Sequence, residues 1–376
     1  SSALVHVGTD TLLEPGENGV YYRVALHSSF DAPARTVRVA PEVTRLVYRS
    51  DRSSRFGMEA SQVAYRNLIY TTDNDGNLNC LDVRTLEIVW SRDIGDDSDA
   101  TMAIEETPEG VFLYSGNEVD HRTFHDQVAN IRKINALTGE LVWQYNVGTE
   151  YIESTNGGVL GSLLIGDAAD VKDLVLVSSA RTRPGLGGTL MALDRATGAP
   201  RWTRALDPYS WTSMLYLTGA SGKTYAVFAD QAGVIHLFDP TTGADVDTFA
   251  TGANVEASPA AYGNVLVVAS RAQKVYALTV SWRPPLSAAS HGGARATGQV
   301  GMVGDVSPRA GVPQLGWQRI PLAIRMLHHQ DSAGPKQDSS ASSDRQRHGQ
   351  AVGGTAIERH LWIVVAHLRV DRLHPV

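Results

Sequence analysis

A short motif recurs along the chain, and this repetition constrains the fold more than any other feature. Its fullest copy is Ala192-x-Asp194-x-x-Thr197-Gly198-x-x-x-Trp202. Three further copies and a truncated fifth lie around Trp90, Trp143, Asp239 and Tyr276. The copies are spaced by roughly 45 to 60 residues, which is typical of arrays of similar structural units. The chain is therefore expected to fold as a series of related units.

Each unit contains short runs of β-branched and aromatic residues. Leu174–Val177 and Val265–Val268 are two of them, and turn signals such as Asp75-Gly76 follow such runs. Runs of this kind, bounded by turn residues, predict strands joined by hairpins. Between Ser61 and Val280 no long segment has the 3.6-residue period of a helix, which disfavours a parallel sheet covered by helices.

The turn and the tryptophan of the motif have separate physical roles. An Asp or Asn side chain accepts hydrogen bonds from backbone N–H groups two or three residues on, and Gly adopts the positive φ that the turn needs. Burial of the Trp contributes at most roughly 4–6 kcal/mol. One such indole ring in every unit is suited to packing between neighbouring sheets. Four-stranded sheets repeated around an axis form a β-propeller.

The motif that ends at Trp202 resembles the tryptophan-docking motif of the pyrroloquinoline quinone (PQQ) repeat propellers, over about residues 59–280. That superfamily holds quinoprotein alcohol dehydrogenases, an outer-membrane assembly lipoprotein and binding propellers without known chemistry. The resemblance implies an all-β propeller of four-stranded antiparallel blades. Five to six blades are recognisable, and since relatives commonly close with eight, the propeller is expected to be incomplete. Leu86 replaces the turn Gly in one copy of the motif, and Asp247 replaces the Trp in another. The contact between sheets at Asp247 is therefore expected to be looser.

Composition divides the chain into three regions. Residues 1–58 are interpreted as a degenerate N-terminal blade with Thr36–Val39 as its third strand, 59–280 as the PQQ-like repeats, and 281–376 as a low-complexity tail. Residues 1–280 hold 34 acidic and 22 basic residues, whereas the tail holds 6 and 11. The tail also interrupts the fifth repeat, so it is expected to be disordered or translated out of frame. Because the first residue is Ser rather than Met, a fragment or mature form is expected.

The segments that lead into the innermost strand of each unit share a pattern of acid, small residue and hydroxyl. The candidate ligand-binding residues at the first position are Glu59, Asp99, Glu153, Trp211 and Glu256. The same register on every blade predicts a ring at one mouth of the central funnel. Two carboxylates ~8 Å apart repel by roughly 2 kcal/mol at an effective dielectric of ~20. A cation, a basic ligand, an Arg or a raised pKa should relieve this repulsion. Alternatively, each acid caps a loop or pairs with a local Arg.

Carboxylate oxygens suit Ca²⁺, and Glu153 and Glu256 are the candidate ligands if a metal binds. In quinoprotein relatives this mouth holds PQQ and its calcium, and the resemblance implies that Trp211 could stack on the quinone. The single cysteine, Cys80, excludes the adjacent-cysteine pair typical of quinoprotein alcohol dehydrogenases. We therefore assign no catalytic residue and expect no cofactor, with PQQ and Ca²⁺ as the alternative.

Two functions follow from these observations. The first is a non-catalytic binding or scaffold module that takes a protein, peptide or glycan through its loop face and funnel. The alternative is a PQQ- and Ca²⁺-dependent quinoprotein dehydrogenase, or a fragment of one, with one funnel carboxylate as metal ligand and another as general base. The acidic repeats disfavour nucleic acid as a partner, and no run reaches the ~18 apolar residues of a membrane span. The resemblance implies an extracytoplasmic location, in the periplasm or on the cell surface.

Overall fold

The computed structural model describes residues 2–16, 19–48, 57–120, 122, 125–150, 156–219, 221–282 and 362–370. These residues form β-strands and turns, with one short 3-10 helix at Val7–Thr9 and no α-helix. All described strands lie in one compact unit, Ser1–Pro285 with His360–Val376. The second unit, Leu286–Arg359, lies outside the described residues, as does most of the tail whose disorder the sequence predicted. The predicted all-β fold is confirmed.

The strands of the described residues form six consecutive sheets and one separate two-stranded hairpin. The first contains β1 (Leu4–His6), β2 (Thr11–Pro15) and β3 (Val20–Ala25); β4 (Ser29–Asp31) and β5 (Thr36–Arg38) form a separate hairpin, and β6 (Glu42–Val47) completes the sheet beside β3. The second contains β7 (Val63–Tyr65), β8 (Leu68–Thr72), β9 (Asn77–Asp82) and β10 (Ile88–Asp93). The third contains β11 (Ala103–Thr107) and β12 (Gly110–Gly116); β13 (Glu118–Val119) leaves to join the next sheet, and β14 (Val128–Asn135) and β15 (Leu141–Gly148) complete the third.

The fourth sheet has five strands. Its order is β13, β16 (Gly157–Gly158), β17 (Leu174–Ala180), β18 (Gly188–Asp194) and β19 (Pro200–Leu206). The fifth contains β20 (Leu215–Thr218), β21 (Thr224–Ala229), β22 (Val234–Phe238) and β23 (Asp245–Ala250). The sixth contains β24 (Ala260–Tyr262), β25 (Val265–Ser270), β26 (Lys274–Trp282) and β27 (Trp362–Val370). The described pairings are antiparallel except for β26 with β27, which is parallel.

The prediction that Thr36–Val39 forms the third strand of the first sheet was wrong. Thr36–Arg38 pairs only with β4, and β6 occupies the sheet position beside β3. A local turn explains the difference, because the Asp31 carboxylate accepts a hydrogen bond from the Ala34 N–H at 3.1 Å and closes a short hairpin. All six residues of this hairpin's strands are exposed, so no burial draws them into the sheet.

Five hydrophobic clusters join the six sheets in chain order. Leu13 and Tyr21 of the first sheet, for example, pack with Ile69 and Leu81 of the second. The remaining joints are made in the same way, with one cluster for each successive pair of sheets. Strands in the middle of the series are buried on both faces, because one face meets the preceding sheet and the other the following sheet.

The indoles of the repeated motif have equivalent surroundings. The Nε1 atoms of Trp90, Trp143 and Trp202 donate to carbonyl oxygens in the next sheet's turn, at 3.0, 3.2 and 2.9 Å. Each ring also lies on that turn's glycine: a Cβ added at Gly198 would stand 2.5 Å from the Trp143 ring. The four sheets that carry the motif position share a register shift beside it.

Candidate functional site

The predicted site residues occupy one structural position. Glu59, Asp99, Trp211 and Glu256 each lie in the segment just before the first strand of the second, third, fifth and sixth sheets, which are β7, β11, β20 and β24. Glu153 precedes β16 at the same offset, but it falls in 151–155, outside the described residues. Because this position repeats, its side chains lie at the same end of their sheets.

Glu59 lies near Asp99. Burial is the main cause of the raised pKa of Asp99, and the neighbouring Glu59 carboxylate adds to it. The Asn74 amide Nδ2 donates to Glu59 Oε1 at 2.7 Å, from the β8–β9 turn. That turn is the Asp73–Asn77 segment, a hairpin in which Asp73 Oδ1 accepts from the Asp75 and Asn77 N–H groups. Two of the predicted carboxylates therefore form a pair.

Glu118 belongs to the same cluster, and sequence reasoning missed it. Its side chain is completely buried, its Oε1 accepts from the Asp99 N–H at 3.2 Å, and its Oε2 accepts from Asn156 Nδ2 at 2.6 Å. Glu118 begins β13, the short strand that extends the fourth sheet by pairing with Gly158. No repeat position marks this residue, because β13 has no counterpart in the other sheets. We call Glu59, Asp99 and Glu118 the acidic cluster.

Burial and mutual repulsion raise the pKa values of two carboxyl groups in the acidic cluster. Burial raises the pKa of Asp99 to about 6, and the charge of Glu59 adds to the effect. Burial also raises the pKa of Glu118 well above its usual range, with the charges of Asp99 and Asp97 contributing. Burial thus favours the neutral form of the Glu118 carboxyl beside Asp99. The cluster has the oxygen atoms and the charge to attract a cationic group.

Glu256 has a different environment. Arg271 Nε donates to Glu256 Oε2 at 2.8 Å and Arg271 Nη2 contacts the same oxygen, while Asn254 Nδ2 donates to Oε1 at 2.9 Å. Its charge is thus compensated locally, as the alternative interpretation of these acids predicted for such residues. Trp211 is half-buried and packs with Leu160 and Tyr209. The structure therefore places Glu256 and Trp211 in surroundings unlike those of Glu59 and Asp99.

A buried arginine follows β17, which is two strands away from Glu118 in the fourth sheet. Arg181 is 2 % exposed, and its nearest carboxylate is Glu150, with Nη2 and Oε2 3.6 Å apart. Arg181 follows Ala180, which pairs with Gly158, and Gly158 pairs with Glu118. Two strand spacings separate the Ala180 and Glu118 backbones, about 10 Å. The acidic cluster itself combines carboxylates from three sheets.

The calcium ligands that the family resemblance implies are not brought together among the described residues. Of the two predicted metal ligands, Glu256 is engaged by Arg271, and Glu153 lies outside the described residues. Among the residues that the structure describes, no group of three His, Cys, Asp or Glu side chains has an arrangement that could hold a metal ion. Cys80 is buried in the joint between the second and third sheets, and burial raises its pKa to about 12.

Four-stranded antiparallel sheets, packed in chain order through repeated turns, define a protein of the β-propeller class. The model of a PQQ-repeat family, described as outer membrane protein assembly factor BamB, matches residues 127–234. This segment covers β14 and β15 of the third sheet, β16 to β19 of the fourth, and β20 and β21 of the fifth. The resemblance to PQQ-repeat propellers, predicted from the motif, is thereby confirmed.

Solved structures of low identity are also similar to the chain. They include quinohemoprotein alcohol dehydrogenase ADHIIG from Pseudomonas putida HK5 (14 % identity, 65 % of this chain, 41 % of that chain, TM-score 0.46) and a europium-containing methanol dehydrogenase (15 %, 65 %, 50 %, 0.46). BamB from Moraxella catarrhalis matches at 14 % identity over 72 % of this chain and 81 % of that chain, with a TM-score of 0.38. The chain thus spans half or less of the dehydrogenases' length. No curated protein matches.

Proposed function

We propose that this chain is a non-catalytic binding module that holds a basic segment of a protein partner at the acidic cluster. The observation that carries the proposal is the convergence of Glu59, Asp99 and Glu118 from three sheets, with amide donors from Asn74 and Asn156. A Lys or Arg side chain entering there would meet Asp99 and Glu59 carboxylates and relieve their repulsion.

The charge of residues 1–280 supports a cationic partner. Residues 1–280 hold 34 acidic against 22 basic residues, so approach of a basic segment is favoured at long range. The family model that matches residues 127–234 is described as a factor for assembly of outer membrane proteins. That description supports a protein as the partner and an extracytoplasmic location. In the part of the chain that the structure describes, no helix has the length and apolarity to cross a membrane.

The raised pKa values give the proposed site a distinct chemistry. The pKa of Asp99 is raised to about 6, and the pKa of Glu118, which accepts a hydrogen bond from the Asp99 N–H, is raised well above its usual range. A bound cation would lower both pKa values, so binding should release protons and strengthen as the pH rises above about 6.

A labelled hexalysine peptide, with hexaglutamate as the charge control, tests the proposal by fluorescence anisotropy. Combined substitution of Glu59→Gln and Asp99→Asn should weaken hexalysine binding at least about tenfold, roughly 1.4 kcal/mol. Glu109→Gln, an exposed carboxylate elsewhere, is the matched control and should change nothing. Equal affinities for the parent and the double variant, or no binding by the parent, would contradict the proposal.

A second experiment addresses the non-catalytic part of the proposal. The parent protein is incubated with PQQ and Ca²⁺, and its unfolding temperature and alcohol-dependent dye reduction are measured. We expect neither a thermal shift nor dye reduction. Dye reduction that depends on both additives would replace this proposal with the dehydrogenase alternative. The division of the chain at residues 58 and 280 stays a prediction.

A further inference from the structure

The sixth sheet leaves one of its faces uncovered. In the fourth and fifth sheets, β17 and β21 are buried on both faces. In β25 burial alternates instead, so that Leu266 is fully buried whereas Val265 and Val267 are 37 % and 39 % exposed. The register places Tyr262 and Thr279 on either side of Val265, and Ala260 and Ala277 on either side of Val267. Cross-strand partners share a face, so this surface is apolar, and its Tyr262 is 92 % exposed.

The first sheet has a matching uncovered face. One row of residues in register crosses all four of its strands and consists of Val5, Leu12, Val24 and Val43. Val5 is 57 % and Val43 is 56 % exposed, and Val47 on the same strand face is 60 % exposed. The next row contains Glu14, Tyr22 and Arg45. This face is therefore also largely apolar, with one acidic residue, Glu14, and one basic residue, Arg45.

The two faces are opposite halves of the same kind of contact. The buried face of the sixth sheet packs on the fifth sheet. Its uncovered face therefore corresponds to the face with which each earlier sheet packs on the next sheet in the chain. The buried face of the first sheet packs on the second sheet. Its uncovered face therefore corresponds to the face with which each later sheet packs on the preceding sheet. Within this molecule the corresponding faces always pack on each other, and each copy of the chain carries both uncovered halves.

We propose that two copies of this chain associate head to tail, with the first sheet of one copy packed on the sixth sheet of the other. Such a contact is heterologous, and in the proposed pair it is made twice, once by the first sheet of each copy. Each face measures roughly 15 by 17 Å, so two contacts bury on the order of 1,000 Å² in total, near the lower limit of specific interfaces. The association is therefore weak and depends on protein concentration.

Sedimentation velocity from about 1 to 300 µM protein tests the association by mass action. The parent should shift from monomer to larger species across this range. Tyr262→Glu alters the sixth sheet and Val43→Glu the first, and each alone should weaken association at least about tenfold, because a charge enters the apolar contact. Leu186→Glu, an exposed loop residue on neither face, is the matched control and should associate like the parent. Circular dichroism checks that all variants are folded.

Mixing the two variants distinguishes this geometry from a symmetric dimer. The Tyr262→Glu chain keeps an intact first sheet and the Val43→Glu chain keeps an intact sixth sheet. A 1:1 mixture should therefore form a pair with one intact contact, although neither variant associates strongly alone. A parent that stays monomeric at every concentration, a mixture that stays monomeric, or a loss of association in the Leu186→Glu control would overturn the proposal.

Discussion

At the scale of single residues, the replacement of the turn glycine by Leu86 compensates for the absence of a tryptophan in the first sheet. The turn glycines Gly139, Gly198 and Gly243 all have φ between 72° and 75°, and each lies under an indole of the preceding sheet. The second sheet has Leu86 there, with φ 62°, and the first sheet has no Trp to lie on it. Leu86 is 4 % exposed and packs with the Leu13–Tyr21 cluster, so its side chain occupies space that an indole fills elsewhere.

Substitution of Leu86→Gly should therefore destabilise the protein despite the relief of backbone strain. Release of the left-handed conformation returns about 1 kcal/mol, whereas loss of the buried side chain costs about 2–3 kcal/mol. We expect a net loss of about 1–2 kcal/mol, measured by urea unfolding. The matched control is Gln273→Gly at φ 60°, a less buried turn site, which should be neutral or slightly stabilising. A more stable Leu86→Gly variant would show that strain outweighs packing.

The Asp99 carboxyl should give the protein a measurable pH dependence. Its folded-state pKa of about 6 lies above the ordinary 3.8, so the folded protein binds this proton more tightly than the unfolded chain. The resulting stability is present below about pH 4 and is lost as the pH rises to about 6.5. Relative to Asp99→Asn, the parent should lose on the order of 2 kcal/mol over that interval, measured by urea unfolding at each pH. Parallel pH profiles of the two proteins would contradict this assignment.

At the scale of elements, the joint between neighbouring sheets depends on close contact of indole and glycine. A Cβ at Gly198 would approach the Trp143 ring to 2.5 Å, in a backbone conformation of φ 75°. Gly185 has almost the same φ, 73°, with nothing within 4 Å of its Cβ position. The two glycines thus share a backbone conformation, but only Gly198 lies against an indole.

Gly198→Ala should cost more stability than Gly185→Ala. Both variants incur about 1 kcal/mol for the left-handed conformation, and only Gly198→Ala displaces the Trp143 ring and weakens its 3.2 Å hydrogen bond to the Arg195 carbonyl. We expect a difference of about 2 kcal/mol in the free energy of unfolding. If both variants lose the same amount, backbone conformation alone explains the glycine, and the indole contact has no role in stability.

At the scale of the whole molecule, the series of sheets should differ in local stability along the chain. The sixth sheet has one uncovered face, and Asp247 stands in the fifth sheet where earlier sheets have an indole. The fourth sheet is covered on both sides and receives Trp143 from the third. Fewer buried contacts lower the free energy of local opening.

Amide hydrogen exchange followed by mass spectrometry checks this expectation. The measurement is made at low protein concentration, where copies are separate. Peptides from β25 should then exchange before peptides from β17 and β21. All three strands are hydrogen-bonded to neighbours in their sheets, but only β25 has an open face. The Tyr262→Glu variant serves as a control that stays monomeric. Slower exchange in β25 than in β17 would contradict the expected order of stability.

The sequence by itself determined the features that depend on neighbouring residues. Asp194, Thr197, Gly198 and Trp202 specify a turn, a positive φ and a large apolar ring within one short segment, and their recurrence predicted the sheets and the equivalence of Glu59, Asp99 and Glu256. These properties are local, because hydrogen bonds over two or three residues and alternation along a strand need no distant partner.

Only the tertiary structure decided how equivalent positions differ. Glu256 is neutralised by Arg271, whereas Asp99 is buried beside Glu59 and Glu118, so residues with one sequence signature have opposite electrostatics. Glu118 comes from a strand outside the repeat, and its effect on Asp99 depends on burial and on a contact made between sheets. Charge interactions in a buried site depend on distance and desolvation, and both arise only when chain segments distant in sequence pack together.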